Sequence, residues 1–77
     1  MKAVKGYFGI EHVRLSLANK ISARRKSGGL TQAQLARMAR IRIETISRLE
    51  NGQHMPGVRT FEKIERALTR AAKKPAA

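Results

Sequence analysis

The 77-residue sequence contains no cysteine, no aspartate and no tryptophan, and its two histidines, His12 and His54, lie far apart. Without cysteine the chain can form no disulfide, no thiolate zinc site and no cysteine nucleophile. The five carboxylates are all glutamates, and their spacing from the histidines shows no catalytic pair and no metal-ligand cluster. We therefore predict a protein that is not an enzyme and that needs no metal and no cofactor.

Long hydrophobic runs are absent as well. No apolar stretch approaches the roughly 20 residues that span a bilayer, and the residues after Met1 contain no signal-peptide core. A chain of this length builds one small hydrophobic core, which leaves little room for an enclosed cleft. We expect a single cytoplasmic domain that has no membrane partner.

Positive charge is abundant. The chain carries 17 Lys and Arg residues against 5 Glu, for a formal net charge of +12. The charge is spread along the sequence, with +6 over residues 1–30, +2 over 31–57 and +4 over 58–77. A basic surface of this size attracts an anionic polymer, and we expect nucleic acid. A basic helix lying on a membrane is the alternative by composition, although the capping and turn residues favour a globular bundle.

The first predicted helix runs from about Ile10 to Lys26, because apolar residues recur there every four positions, at Val13, Leu17 and Ile21. Residues 1–9 show no helical period and are predicted to form an N-terminal arm. Two glycines, Gly28 and Gly29, end the helix, since glycine adopts the left-handed conformation at little cost.

Three further helices follow. The second begins with a predicted capping box between Thr31 and Gln34, is about nine residues long, and has an apolar stripe of Leu35, Ala36, Met38 and Ala39. The third covers residues 43–51, with Ile46 and Leu49 facing inward, and Gly52 ends it. The fourth begins near Val58, and its apolar positions are Val58, Phe61, Ile64, Leu68 and Ala71. The predicted fold is all-α, with a helical domain over residues 10–72 and a disordered tail over 73–77.

Two short helices joined by a tight turn in a very basic chain are typical of a helix-turn-helix, whose second helix enters the DNA major groove. The runs Leu30–Ala36 (LTQAQLA) and Ile46–Gly52 (ISRLENG) sharpen this interpretation. Together with Pro56 and the following helix, they closely resemble the Cro/C1-type helix-turn-helix family of repressors, also called the XRE family. The resemblance implies a compact lambda-repressor-like domain of four or five helices. It also implies a sequence-specific transcription regulator, a repressor that acts as a homodimer on double-stranded DNA.

The resemblance also implies roles for single residues. Leu35, Ile41, Ile46 and Leu49 match buried positions, and Ala36 matches the small residue where the two motif helices cross. Arg25 and Glu50 match a partly buried ion pair that ties the first helix to the reading helix. Gln32 matches a phosphate-binding position at a helix N-terminus. The full set of predicted DNA-binding residues is Gln32, Arg37, Arg40, Arg42, Ile43, Glu44, Thr45, Ser47, Arg48, Asn51, Gln53 and Arg59.

Side-chain chemistry suggests how the third helix would read bases. Arg48 can donate two hydrogen bonds to guanine, Glu44 can accept from cytosine, and Ile43 can contact a thymine methyl. A half-site containing G and C follows. The simpler alternative is that Glu44 and Arg48, four residues apart on a helix, pair with each other.

The sequence departs from the family pattern at two positions of the turn. Arg40 stands where the family usually has glycine, and Arg42 stands where a Ser or Thr usually caps the reading helix. Both replacements should cost local stability, so we hypothesise that these arginines contact DNA phosphates. Glu65 also occupies a position that is often apolar in the family.

The sequence is also compatible with two other functions. Small antitoxins with the same motif bind a partner toxin and repress their own operon, and an arm such as residues 1–9 suits that role. A protein-interaction module, similar to bridging factors of transcription that resemble this family, would show no DNA specificity.

Overall fold

The computed structural model describes residues 10–73, and this part of the chain contains four helices and no strand. The all-α prediction is confirmed. The predicted arm, residues 1–9, and residues 74–77 of the predicted tail lie outside the described residues. The helices are α1 (Ile10–Ser27), α2 (Gln32–Ala39), α3 (Ile43–Glu50) and α4 (Val58–Ala72).

The first three helices end in the same way. Each is followed by a residue in the left-handed conformation, at Gly29 (φ 74°), Arg40 (φ 59°) and Gly52 (φ 73°). The next residue in each case donates its backbone N–H five residues back, to the carbonyls of Arg25, Ala36 and Arg48 at 2.9–3.0 Å. This is the Schellman arrangement, which satisfies carbonyls that the helix itself leaves free. Because Gly52 turns the chain back, α3 ends at Glu50, and its predicted extension to Asn51 is wrong by one residue.

The beginnings of α2 and α3 differ. The predicted capping box of α2 is confirmed: Thr31 Oγ1 accepts from the Gln34 N–H at 3.0 Å, and Gln34 Oε1 accepts from the Thr31 N–H at 2.8 Å. At α3 the N-cap residue is Arg42, whose extended backbone fits the role but whose side chain makes no capping hydrogen bond. The start of α3 therefore lacks the local stabilisation that α2 has.

One hydrophobic core joins the helices. Leu35, Ile46, Leu49 and Ile64 are its largest fully buried side chains, and Leu17, Leu30, Met38 and Ile41 pack against it from partly buried positions. α3 packs against α1 and α2, while α4 packs mainly against α2. Ala36 and Ala39 are also buried, and their small side chains let the neighbouring helices approach α2 closely.

The apolar stripes are shorter than the sequence pattern predicted. Val13 is 46% exposed and Val58 is 77% exposed, so neither belongs to the core. Both lie near the start of their helix. The periodicity of these helices is correct, but periodicity does not show where the packed part of a helix begins.

The end of α1 lies close to α4. A Cβ atom placed on Gly28 would lie 3.2 Å from the Cβ of Ala71, so the absence of a side chain at Gly28 allows the two segments to touch. An exposed ion pair between Arg24 Nη1 and Glu65 Oε2, 2.8 Å long, joins the same two helices. It gives Glu65 a polar partner at a position that the family often makes apolar.

Candidate nucleic-acid interface

The second and third helices form a compact pair joined by three residues, Arg40, Ile41 and Arg42. The connection is held at both ends. Ile41 donates its N–H to the Ala36 carbonyl at 3.0 Å, and its side chain packs against the core. The left-handed Arg40 makes the reversal possible. A turn fixed by backbone hydrogen bonds and by the partly buried Ile41 side chain positions α3 relative to α2.

The outward face of α3 consists of Ile43, Glu44 and Arg48, all of which are exposed. Thr45 and Ser47 are half-buried, while Ile46 and Leu49 are buried in the core. Burying one face leaves the other to solvent along the whole helix, which is about 12 Å long at 1.5 Å per residue. This face has the size and exposure that entry into a major groove requires.

Glu44 and Arg48 do not form the ion pair that the simpler alternative predicts. Neither side chain makes a hydrogen bond or a salt bridge to any described residue. Ile43 next to them is 42% exposed. The outward face of α3, which we call the reading face, therefore presents a cation, an anion and an apolar group that are all available to a ligand.

The last residue of α3 is held by α1. Arg25 donates from Nε to Glu50 Oε2 at 2.6 Å and from Nη2 to Glu50 Oε1 at 2.9 Å. The remaining Arg25 nitrogen, Nη1, donates to the Leu30 carbonyl at 2.8 Å. The Arg25 and Glu50 side chains are only 12% and 5% exposed. The ion pair that the resemblance implied is present, and its bidentate geometry fixes the direction of α3 relative to α1.

Gln32 completes this network. Its Nε2 donates to Glu50 Oε1 at 3.1 Å, so the carboxylate binds the first residue of α2 as well as α1. The sequence prediction for Gln32 was a phosphate contact, and the structure gives its amide group an intramolecular partner. One Nε2 hydrogen remains available, as do the backbone N–H groups of the first turn of α2 that have no helical acceptor.

These contacts change the ionisation of the pair. Burial by itself raises the pKa of Glu50, but the hydrogen bonds from Arg25 and Gln32 lower it, and the net pKa lies below the ordinary value of a glutamate. The hydrogen bond to Glu50 is also the main reason that the pKa of Arg25 is raised. Both groups are therefore charged at neutral pH, and the link between the helices is a full ion pair.

The remaining candidates surround the helix pair. All of them are exposed, whether in α2, in the two connections that flank α3 or in the first turn of α4, and they are Arg37, Arg40, Arg42, Asn51, Gln53 and Arg59. The side chain of each arginine in this group makes no hydrogen bond and no ion pair with the described residues. Together with Arg48 they give the surface around α3 an excess of positive charge, with Glu44 as the one acidic candidate.

Sequence reasoning missed several contacts of this site. It did not anticipate the bond from Gln32 to Glu50, nor that the Leu30 carbonyl would accept from Arg25. It also did not single out Lys63, Arg66 and Arg70 of α4, although their spacing of three and four residues places them on one helix face. That spacing was the available signal.

Comparison with known proteins supports this geometry. A helix-turn-helix family model matches residues 21–70, which is more than half of the chain and includes the whole of α2 and α3. The chain belongs to the Cro/C1-type helix-turn-helix family, also called the XRE family, and is a DNA-binding transcription regulator. No curated protein and no solved structure matches the chain significantly.

Nowhere in residues 10–73 do three His, Asp or Glu side chains come together as metal ligands would. None of the four helices is long and apolar enough to cross a membrane.

Proposed function

We propose that this protein is a sequence-specific repressor that reads the major groove of double-stranded DNA with α3. The observation that supports this most directly is the division of α3 into two faces. Ile46, Leu49 and Glu50 attach the helix to the domain, whereas Ile43, Glu44 and Arg48 are exposed and have no intramolecular polar partner. A rigid helix with an unoccupied polar face is suited to base recognition.

Three side chains on this face carry the proposed base contacts. Arg48 donates two hydrogen bonds to the O6 and N7 atoms of a guanine, which would contribute about 1–3 kcal/mol of discrimination. Glu44 accepts from the amino group of a cytosine, and Ile43 contacts a thymine methyl. Thr45 and Ser47 lie at the edges of the face and are placed for shorter hydrogen bonds to the bases or the backbone.

The surrounding residues are proposed to hold the phosphate backbone. Gln32, Arg37, Arg40, Arg42, Asn51, Gln53 and Arg59 make contacts that set the register of the protein on DNA without reading sequence. Binding should depend steeply on salt, because each neutralised phosphate releases counterions. For 6–10 contacts the affinity falls by about 10³–10⁵ between 50 and 200 mM salt.

We propose a homodimer on an operator with two-fold related half-sites, acting in the cytoplasm. A helix about 12 Å long reaches only a few base pairs, and each recognised pair contributes about 1–3 kcal/mol of specificity. Two copies double the number of base pairs that are read. Bound at a promoter, such a dimer would exclude other proteins from the DNA, which accounts for repression. The antitoxin alternative depends on residues 1–9, which lie outside the described residues, and stays a prediction.

The test is selection of binding sites from random duplex DNA at physiological salt, with wild type, Arg48→Ala and the matched control Arg66→Ala. Both variants lose one exposed arginine, but Arg66 lies on α4 and is not among the predicted DNA contacts. We expect a two-fold related motif for wild type and Arg66→Ala, and loss of preference at one base pair per half-site for Arg48→Ala. Featureless binding by all three proteins would contradict sequence-specific recognition and favour a protein-interaction module.

A further inference from the structure

A second positively charged surface lies beside the C-terminal end of α2. Four side chains, Arg40, Lys63, Arg66 and Arg70, line a groove of about 320 Å³, which we name the cationic groove. Its floor is apolar and consists of the half-buried Met38 with the buried alanines Ala39 and Ala67. No residue of α3 lines it.

The four cations of the groove have no partner within the described chain. None of these four side chains makes a hydrogen bond or an ion pair with a described residue. Two of the five glutamates form ion pairs outside the groove, with Arg24 and Arg25. Arg66 and Arg70 also line the neighbouring groove on α4, together with Thr69, Lys73 and Glu65. Like charges this close on one helix repel each other, and an anion bound between them would relieve that repulsion.

Charge disfavours the residues of this sequence as the occupant of the groove. The segments outside the described residues contain Lys2, Lys5 and Lys74 and no acidic residue. A second copy of the chain carries the same net charge of +12. The terminal segments and a second copy are both net positive, which favours a different, acidic molecule as the occupant.

We propose that the cationic groove binds an acidic segment of a partner protein, in which carboxylates flank an apolar side chain. The carboxylates would pair with Arg66, Arg70 and Lys63, and the apolar side chain would cover Met38 on the floor. A DNA backbone supplies the negative charge but has no apolar side chain for the floor. The combination of a cationic rim with an apolar floor therefore favours a peptide over a phosphate chain.

The site goes beyond the proposed DNA recognition, since its test residues lie on α4 and belong to no predicted DNA contact. Arg40 lines the groove and is also a proposed phosphate contact, so the peptide contacts rest on Lys63, Arg66 and Arg70. A repressor with such a groove binds DNA through α3 and Arg40, and an acidic protein through α4.

The experiment uses the full chain and a fluorescein-labelled synthetic peptide of alternating Glu and Ala with one central Leu, followed by fluorescence anisotropy. A twin peptide has Gln in place of the Leu, and a labelled random duplex serves as the DNA probe. The groove variant is Arg66→Gln/Arg70→Gln. The matched control is Lys20→Gln/Lys26→Gln, which removes the same charge from exposed residues of α1. Thermal unfolding followed by circular dichroism confirms that both variants fold.

We expect the groove variant to lose about tenfold in affinity for the Leu peptide, equivalent to about 1.4 kcal/mol. The control variant should stay close to wild type, and the Gln peptide should bind wild type more weakly than the Leu peptide. Equal losses in both variants would show attraction by net charge alone and overturn the proposal. Equal binding of the two peptides by wild type, or no binding of the Leu peptide, would also overturn the proposal. A groove variant that loses more affinity for the duplex than for the Leu peptide would overturn it as well. All of these results are independent of whether α3 reads a sequence.

Discussion

Arg25 in α1 and Glu50 at the end of α3 are joined by two hydrogen bonds, of 2.6 and 2.9 Å, in a partly buried position. This pair connects the helix that is proposed to read DNA with the longest helix of the domain. Because Gln32 also donates to Glu50, one carboxylate sets the relative placement of three helices. The reading face is therefore positioned by a polar network as well as by the apolar core.

Glu50→Gln should destabilise the domain strongly. The change leaves the partly buried Arg25 guanidinium without a counter-ion, which costs up to about 3–5 kcal/mol of unfolding free energy, the range for a fully buried pair. Urea denaturation followed by circular dichroism measures the loss. The control is Glu65→Gln, which removes the exposed ion pair with Arg24, whose side chains are 42% and 39% exposed, and should cost less than about 1 kcal/mol. Similar costs for the two variants would contradict the structural importance of the buried pair.

The same pair makes stability depend on acid. The pKa of Glu50 in the folded protein lies below the value of 4.5 of an unperturbed glutamate, so as the pH falls the unfolded chain takes up this proton first. The stabilisation from Glu50 is therefore complete at neutral pH, begins to decline near pH 4.5 and is lost as the pH passes the folded-state pKa. Urea titrations from neutral pH to pH 3 should show the stability gap between wild type and Glu50→Gln narrowing in acid. A constant gap would contradict this assignment.

Arg40→Gly should stabilise the protein while weakening its binding to DNA. The left-handed conformation at Arg40 costs a residue with a side chain about 1–2 kcal/mol, and glycine avoids most of this cost. The greater freedom of glycine in the unfolded chain removes about 0.4–1 kcal/mol of the gain, so we expect a net gain of about 0.5–1 kcal/mol. Arg40→Ala is the control, because it removes the charge but keeps the strain. If Arg40 contacts phosphate, both variants lose DNA affinity equally, whereas unchanged affinity in both would refute the contact.

Arg42→Ser, at the start of α3, should also stabilise the protein while weakening its binding to DNA. Serine at this N-cap can accept a hydrogen bond from the first turn, which the Arg42 side chain does not. The expected gain over Arg42→Ala is about 0.5–2 kcal/mol of unfolding free energy, measured by urea denaturation. Binding to duplex DNA should weaken in both variants by the same factor. A serine variant no more stable than the alanine variant would show that the cap does not form.

Arg59→Gln tests the proposed phosphate contacts through salt. Removing one such contact should weaken binding to all sequences alike and reduce the slope of log affinity against log salt by about 1. Lys20→Gln, an exposed charge on α1, is the control and should leave the slope nearly unchanged. Binding is measured by anisotropy with a duplex at several salt concentrations. Equal slopes for the two variants would place Arg59 away from the DNA.

Local features of the fold follow well from the sequence. The capping box of Thr31 and Gln34 and the helix ends at Gly29 and Gly52 are interactions within about five residues of chain, so residue types and spacing suffice to predict them. Burial at the helix starts does not follow in this way. Val13 and Val58 match the apolar period but are exposed, because their burial depends on how far the neighbouring helices extend.

The same distinction between short-range and long-range interactions applies to the candidate site. The exposure of Ile43, Glu44 and Arg48 could be predicted, since Ile46 and Leu49 are buried on the opposite face of the same short helix. The Arg25–Glu50 pair was anticipated only through the resemblance to a family. Neither the pair nor the part played by Gln32 follows from spacing, because the partners are 25 and 18 residues apart in sequence.

The sequence by itself therefore determined an all-helical basic domain, the positions of its turns, and a third helix with one exposed and one buried face. These properties depend on composition and on short-range interactions. Only the tertiary structure decided that three helices meet at Glu50 and that Arg40 of the turn lies beside Lys63, Arg66 and Arg70 of α4. Such arrangements bring together residues distant in the chain, and their geometry is set by how the helices pack around a shared core.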